Sequence, residues 1–65
     1  MIISYAPLWK TLIDKGIHKT DLCQSIGIST ATIAKMSKNK IVSLGVIVRI
    51  CESLNCRIED ICEVI

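Results

Sequence analysis

The chain has 65 residues, 51% of them hydrophobic, and a formal net charge of +2. So short a chain buries only about 60% of the surface its unfolded form exposes, which leaves little room for a deep catalytic pocket and favours a binding module over an enzyme. The apolar half is aliphatic, enough for a core and too much for disorder, and no run nears the roughly 20 residues that span a bilayer.

Charge is unevenly spread. Residues 1–49 carry seven Lys/Arg against Asp14 and Asp21, a balance of +5, whereas residues 50–65 carry Arg57 against Glu52, Glu59, Asp60 and Glu63, a balance of −3. A basic body with an acidic tail suits a protein that presents one face to a polyanion. The opening MIISYAPLWK lacks the basic region, apolar region and small-residue cleavage site of a secretory signal, so a cytoplasmic protein is expected.

A β-prone start, Ile2-Ile3-Ser4-Tyr5, precedes Pro7, whose missing N–H costs nothing in the first turn of a helix. A helix is predicted from Pro7 to Lys15, with Leu8, Trp9, Leu12 and Ile13 along one face and Gly16 at the left-handed position that ends it. A second helix is predicted from Lys19 or Thr20 to Ser25. Leu22, Cys23 and Ile26 supply its apolar side, and Asp21 suits the positive dipole of its first turn. Gly27 breaks the pattern. Ser29 is then a good cap for a third helix that continues through Ile33 and Met36 to about Lys38, with Asn39 as its stop. Leu44, Ile47, Val48, Cys51 and Leu54 make an apolar helical stripe capped by Ser43, with Val46 and Ile50 as an apolar pair off that stripe. Ile58, Ile61, Cys62 and Ile65 repeat the spacing and predict a fifth helix. The fold expected is all-α, one domain over residues 1–65.

A three- or four-residue turn between the second and third helices forces a steep crossing, and Gly27 supplies the positive φ such a turn needs. Cys23 is the small residue where the two helices touch, Ile33 anchors the following helix, and Ile26 and Ile28 pack inward around the turn. Thr30, Ala31, Thr32 and Lys35 are left pointing outward. That face is small and polar, and it fits a major groove about 12 Å wide.

The stretch from Lys19 to Met36 resembles the helix-turn-helix of Cro/CI-type (XRE, lambda-repressor-like) regulators, with Leu22, Cys23, Gly27, Ile33 and Met36 on the positions of that pattern. PLWKTLIDKGIHKTDL is similar to their entry helix and VSLGVIVRICESLNCRIEDI to their last two helices. The start is similar to that of short single-domain members beginning near M-I-x-Y-x-P-L-W. Cys23 departs from the usual alanine, and Thr30 and Ala31 stand where glutamine commonly opens the recognition helix. The resemblance implies a compact five-helix DNA-binding domain with its helix-turn-helix at residues 19–38 and its recognition helix at 29–38. It implies that Ser29, Thr30, Ala31, Thr32 and Lys35 face bases or adjacent phosphates, and that Lys19, Lys38, Asn39 and Lys40 approach the backbone. The chemistry agrees, because lysines and hydroxyls make phosphate contacts and a lysine can donate to guanine O6 and N7, the role expected of Lys35.

The function implied is a small transcriptional regulator, a repressor, that reads double-stranded DNA as a homodimer, since one such unit buries little DNA surface. Val46 with Ile50, and the apolar ends Ile2–Tyr5 and Glu63–Ile65, are the candidate dimer surfaces. The competing reading is a protein-interaction module, antitoxin-like, whose partner engages the acidic C-terminal segment. The four cysteines lack C-x2-C pairs, and Cys23, Cys51 and Cys62 fall on apolar helical faces, so core packing is expected in place of a metal or disulfide, with Cys56 the exposed one. His18 has no ligand partner, and no nucleophile, acid and base fall together. Neither a cofactor nor an enzymatic activity is expected.

Overall fold

The computed structural model describes all residues 1–65. Strand β1 (Ile3–Ser4) leads into α1 (Ala6–Lys15), followed by α2 (Lys19–Ile26), α3 (Thr30–Ser37) and α4 (Leu44–Leu54). A 3-10 turn (Ile58–Asp60) and strand β2 (Glu63–Val64) complete the order. The strands pair antiparallel, Ile3 opposite Val64 and Ser4 opposite Glu63, and Ile2 and Ile65 extend the ribbon by exchanging two 2.8 Å backbone hydrogen bonds.

All four helices end in the same way. Gly16, Gly27, Asn39 and Asn55 take left-handed φ values of 66°, 69°, 56° and 50°. The next amide then folds back onto the helix: Ile17 N–H to Leu12 O, Ile28 N–H to Cys23 O, Lys40 N–H to Lys35 O, and Cys56 N–H to Cys51 O, at 2.9–3.2 Å. This is the six-residue closure that satisfies a helix's orphan carbonyls and directs the chain sharply away. At the other end, Ser29 and Ser43 accept the amides of Thr32 and Val46 at 3.3 Å, the caps expected for α3 and α4.

Eleven apolar residues form the core. Leu8 and Leu12 come from α1, Leu22 and Cys23 from α2, Ile33 and Met36 from α3, and Ile47, Ile50 and Leu54 from α4. Tyr5 and Ile61 close it from the two ends of the chain. Cys51, Cys56 and Cys62 are half-buried against this core as free thiols. Burial, with the neighbouring Cys51 thiol, pushes the Cys56 and Cys62 thiols up and keeps them protonated. Cys56 therefore packs where an exposed side chain was expected.

Three other expectations are corrected. There are four α-helices, not five, because the last apolar run makes one 3-10 turn and then a strand. So few residues cannot hold a helix without packing on one full face, whereas Glu63–Ile65 gain hydrogen bonds by pairing with Ile2–Ser4. Ile61 is fully buried, but Ile58 and Ile65 are exposed. In α4 the inward face is Ile47, Ile50 and Leu54, while Leu44 and Val48 are 66% and 46% exposed. Ile50, expected off the stripe, is 0% exposed and belongs to it. In α1 the inward line is Leu8 and Leu12, continued by the N-cap Tyr5, and Ile13 is left 79% exposed, about 100° round the helix from Leu12.

A Cβ built on Gly27 would meet nothing within 4 Å, so the glycine serves torsion and not space. Gly27→Ala is expected to destabilise the protein by about 1–2 kcal/mol, read as a lower urea midpoint at unchanged slope. An unchanged midpoint would mean the turn tolerates a Cβ at positive φ.

Candidate nucleic-acid interface

Helix α3 is pinned by two residues. Met36 is fully buried and Ile33 is 8% exposed, which turns Thr30, Ala31, Ala34, Lys35 and Lys38 to solvent. The short loop after α3 adds Asn39 and Lys40, also exposed. No carboxylate occurs between Asp21 and Glu52, so Lys35, Lys38 and Lys40 sit in a stretch with no acidic residue to offset them. The carboxylates gather elsewhere. Asp14, Glu59, Asp60 and Glu63 line one groove with Lys10, where Thr11 donates its hydroxyl to the Asp60 carbonyl at 2.9 Å.

The sequence-derived candidates divide by what holds them. Ser29 and Thr32 are engaged with each other. The Ser29 hydroxyl accepts the Thr32 amide and lies 3.1 Å from the Thr32 hydroxyl, and Thr32 is half-buried. Asn39 is the left-handed stop of α3, and its Oδ1 accepts the Tyr5 backbone N–H at 3.3 Å. Lys19 begins α2, but its ammonium lies 4.0 Å from the centroid of the Trp9 ring and 3.5 Å from the Ser37 hydroxyl at the end of α3. Thr30, Ala31, Lys35, Lys38 and Lys40 are exposed, with no side-chain hydrogen bond to hold them. Helix α2 has His18 at its N-cap with no side-chain capping hydrogen bond, unlike α3 with its Ser29 cap.

A family model for the Cro/C1-type helix-turn-helix DNA-binding domain matches residues 7–65. The chain belongs to the Cro/C1-type helix-turn-helix family. Among solved structures it is similar to the transcriptional regulator VanUg, in its crystal form II, at 48% sequence identity with a TM-score of 0.92, covering 95% of this chain and 83% of that one. No curated protein matches. In this Cro/C1-type domain the DNA-binding fold is thus assembled from four helices and a terminal strand pair.

Sequence reasoning missed two features of the Cro/C1-type site. Ala34 shares the exposed face of α3, one turn after Thr30 and Ala31, and its helical spacing would have revealed it. The other is Tyr5. It is 0% exposed, donates its hydroxyl to the Lys40 carbonyl at 2.8 Å and its amide to Asn39, and so ties the N-terminal segment to the loop that follows α3. No local pattern announces a contact across 35 positions. Burial raises the phenol's pKa above its ordinary value, with the Val42 backbone opposing and Cys62 adding to the rise.

Removing that hydroxyl in Tyr5→Phe leaves the Lys40 carbonyl without its donor and is expected to cost about 1–3 kcal/mol. Because folding raises the phenol's pKa, its contribution is complete below the ordinary value of 10.0 and is lost as the pH climbs through the folded value. Urea melts of wild type and Tyr5→Phe at neutral and alkaline pH check this: the stability gap between them narrows as pH rises. A gap that stays constant would remove the phenol from the account.

Proposed function

We propose that this Cro/C1-type domain is a sequence-specific reader of duplex DNA, acting as a repressor, with residues 19–38 as its helix-turn-helix. The observation that carries the reading is the exposed face of α3, small and polar, held outward by Ile33 and Met36 and followed by Lys38 and Lys40 in an acid-free stretch. Thr30, Ala31 and Lys35 meet base edges, Lys35 donating to guanine O6 and N7, while Ser29 and Thr32 chiefly shape the first turn. Lys19, Lys38 and Lys40 meet phosphates, with Asn39 orienting the loop between them. Such a protein works in the cytoplasm beside its operator, and no helix is long and apolar enough to cross a membrane.

A dimer is part of this proposal, because a single unit buries too little DNA for useful specificity. Ile50 belongs to the core, so the Val46–Ile50 pair is not the interface. The terminal ribbon remains a candidate: Met1, Ile2, Ile41 and Val64 line one shallow apolar groove with Ile3 and Asn39. A protein partner at the acidic segment is a second reading, favoured by the groove where Asp14, Glu59, Asp60 and Glu63 gather.

Selection of bound sequences from random duplex DNA should return a palindrome; recovery of no preferred sequence would leave the protein-partner reading in place. With a selected duplex, Lys35→Ala should relax one base position at about 1–3 kcal/mol. Neutralising Lys38 and Lys40 together should weaken all duplexes alike and lower the slope of log affinity against log salt by about two. A slope that does not move would take both lysines off the phosphates.

A further inference from the structure

Three helices meet at one ammonium. Lys19 starts α2, its charged end lies over the indole of Trp9 from α1, and the same nitrogen is within 3.5 Å of Ser37 at the end of α3. Lys19 also lines a shallow apolar cleft with Trp9, Leu12, Ile13 and Ile17. A lysine on an open surface samples many rotamers; this one has its cation over the best aromatic face available. Ser37 contributes a long, weak contact, and the carbonyl end of α3 adds the favourable pole of its dipole.

We propose that Trp9 is a positioning residue for DNA binding, holding the Lys19 ammonium in place to receive a phosphate. The inference rests on the reading that Lys19 meets the DNA backbone, and it assigns a role to a residue outside the helix-turn-helix. Trp9 itself touches no base. It reduces the freedom Lys19 would lose on binding. The arrangement is available because Trp9, half-buried at the edge of the core, lies one turn before the exposed Ile13 on α1.

The test uses the full chain and a fluorescently labelled duplex of mixed sequence, with affinity followed across a salt series. Lys19→Ala should lower the salt slope by about one. Trp9→Leu, which keeps an apolar side chain but removes the ring face, should weaken binding about two- to five-fold and move the slope in the same direction. Trp9→Phe, which keeps a ring, should restore most of both. Combining Trp9→Leu with Lys19→Ala should add nothing beyond Lys19→Ala alone. Thermal melts of each variant identify any that fail to fold; the Phe variant then stands as the comparison, expected to bind between wild type and Lys19→Ala at low salt.

Trp9→Leu binding like wild type, or losing as much with Lys19→Ala as without it, would overturn the inference while leaving the DNA-reading function intact. Absence of any salt-dependent binding by the wild type would instead sink the function, and this inference with it. Trp9 is the sole tryptophan, so its fluorescence gives a second readout: it should change on adding duplex in wild type and much less in Lys19→Ala. Equal changes in both would also count against the proposal.

Discussion

The buried hydroxyl of Tyr5 is the contact on which the arrangement most depends. A phenol with no solvent exposure must find a partner inside, and it finds the Lys40 carbonyl. With its own amide on the Asn39 side chain, the same residue holds two successive points of the loop after α3. The C-terminal end of the exposed helix is thereby fixed to the N-terminal segment, which is in turn fixed to the last residues by the Ile2–Ile65 and Ile3–Val64 pairings. The strand ribbon is minor in extent, but it anchors the segment that carries Tyr5.

Much of the fold was legible because helix ends are local. Gly16, Gly27 and the two serine caps act within a few residues, and each predicted boundary near them lies close to where the structure has it. The failures came where the outcome is set by distant chain. The terminal run Ile58–Ile65 fits a helical period by coincidence of its isoleucines, and only the presence of Ile2–Ser4 beside it makes a strand the better solution. In α4 most positions are apolar, so more than one stripe is regular. The polar residues carry the better signal there. Arg49, Glu52 and Ser53 fall within about 100° of arc, and the direction opposite them passes through Ile47 and Leu54 while excluding Val48, with Ile50 to one side of it.

The candidate site was legible in part for the same reason. Buried Ile33 and Met36 dictate which residues of α3 face out, and that geometry follows from periodicity alone. What periodicity cannot give is the state of each side chain once there. Ser29 and Thr32 are bound to each other, Asn39 is committed to a backbone amide, and Lys19 is held by a ring ten residues earlier in the chain. Each is a tertiary or capping contact that narrows what the residue is free to touch.

The division of labour along α3 has a consequence for how such proteins diversify. Its anchors are two inward residues and a stop, and the side chains at Thr30, Ala31, Ala34 and Lys35 carry none of the core. Changes at those four positions alter the surface chemistry without altering the frame beneath it, so the exposed face can vary with little penalty in folding. Asn39 is the exception on that surface, since altering it also disturbs the stop that sets where the helix points.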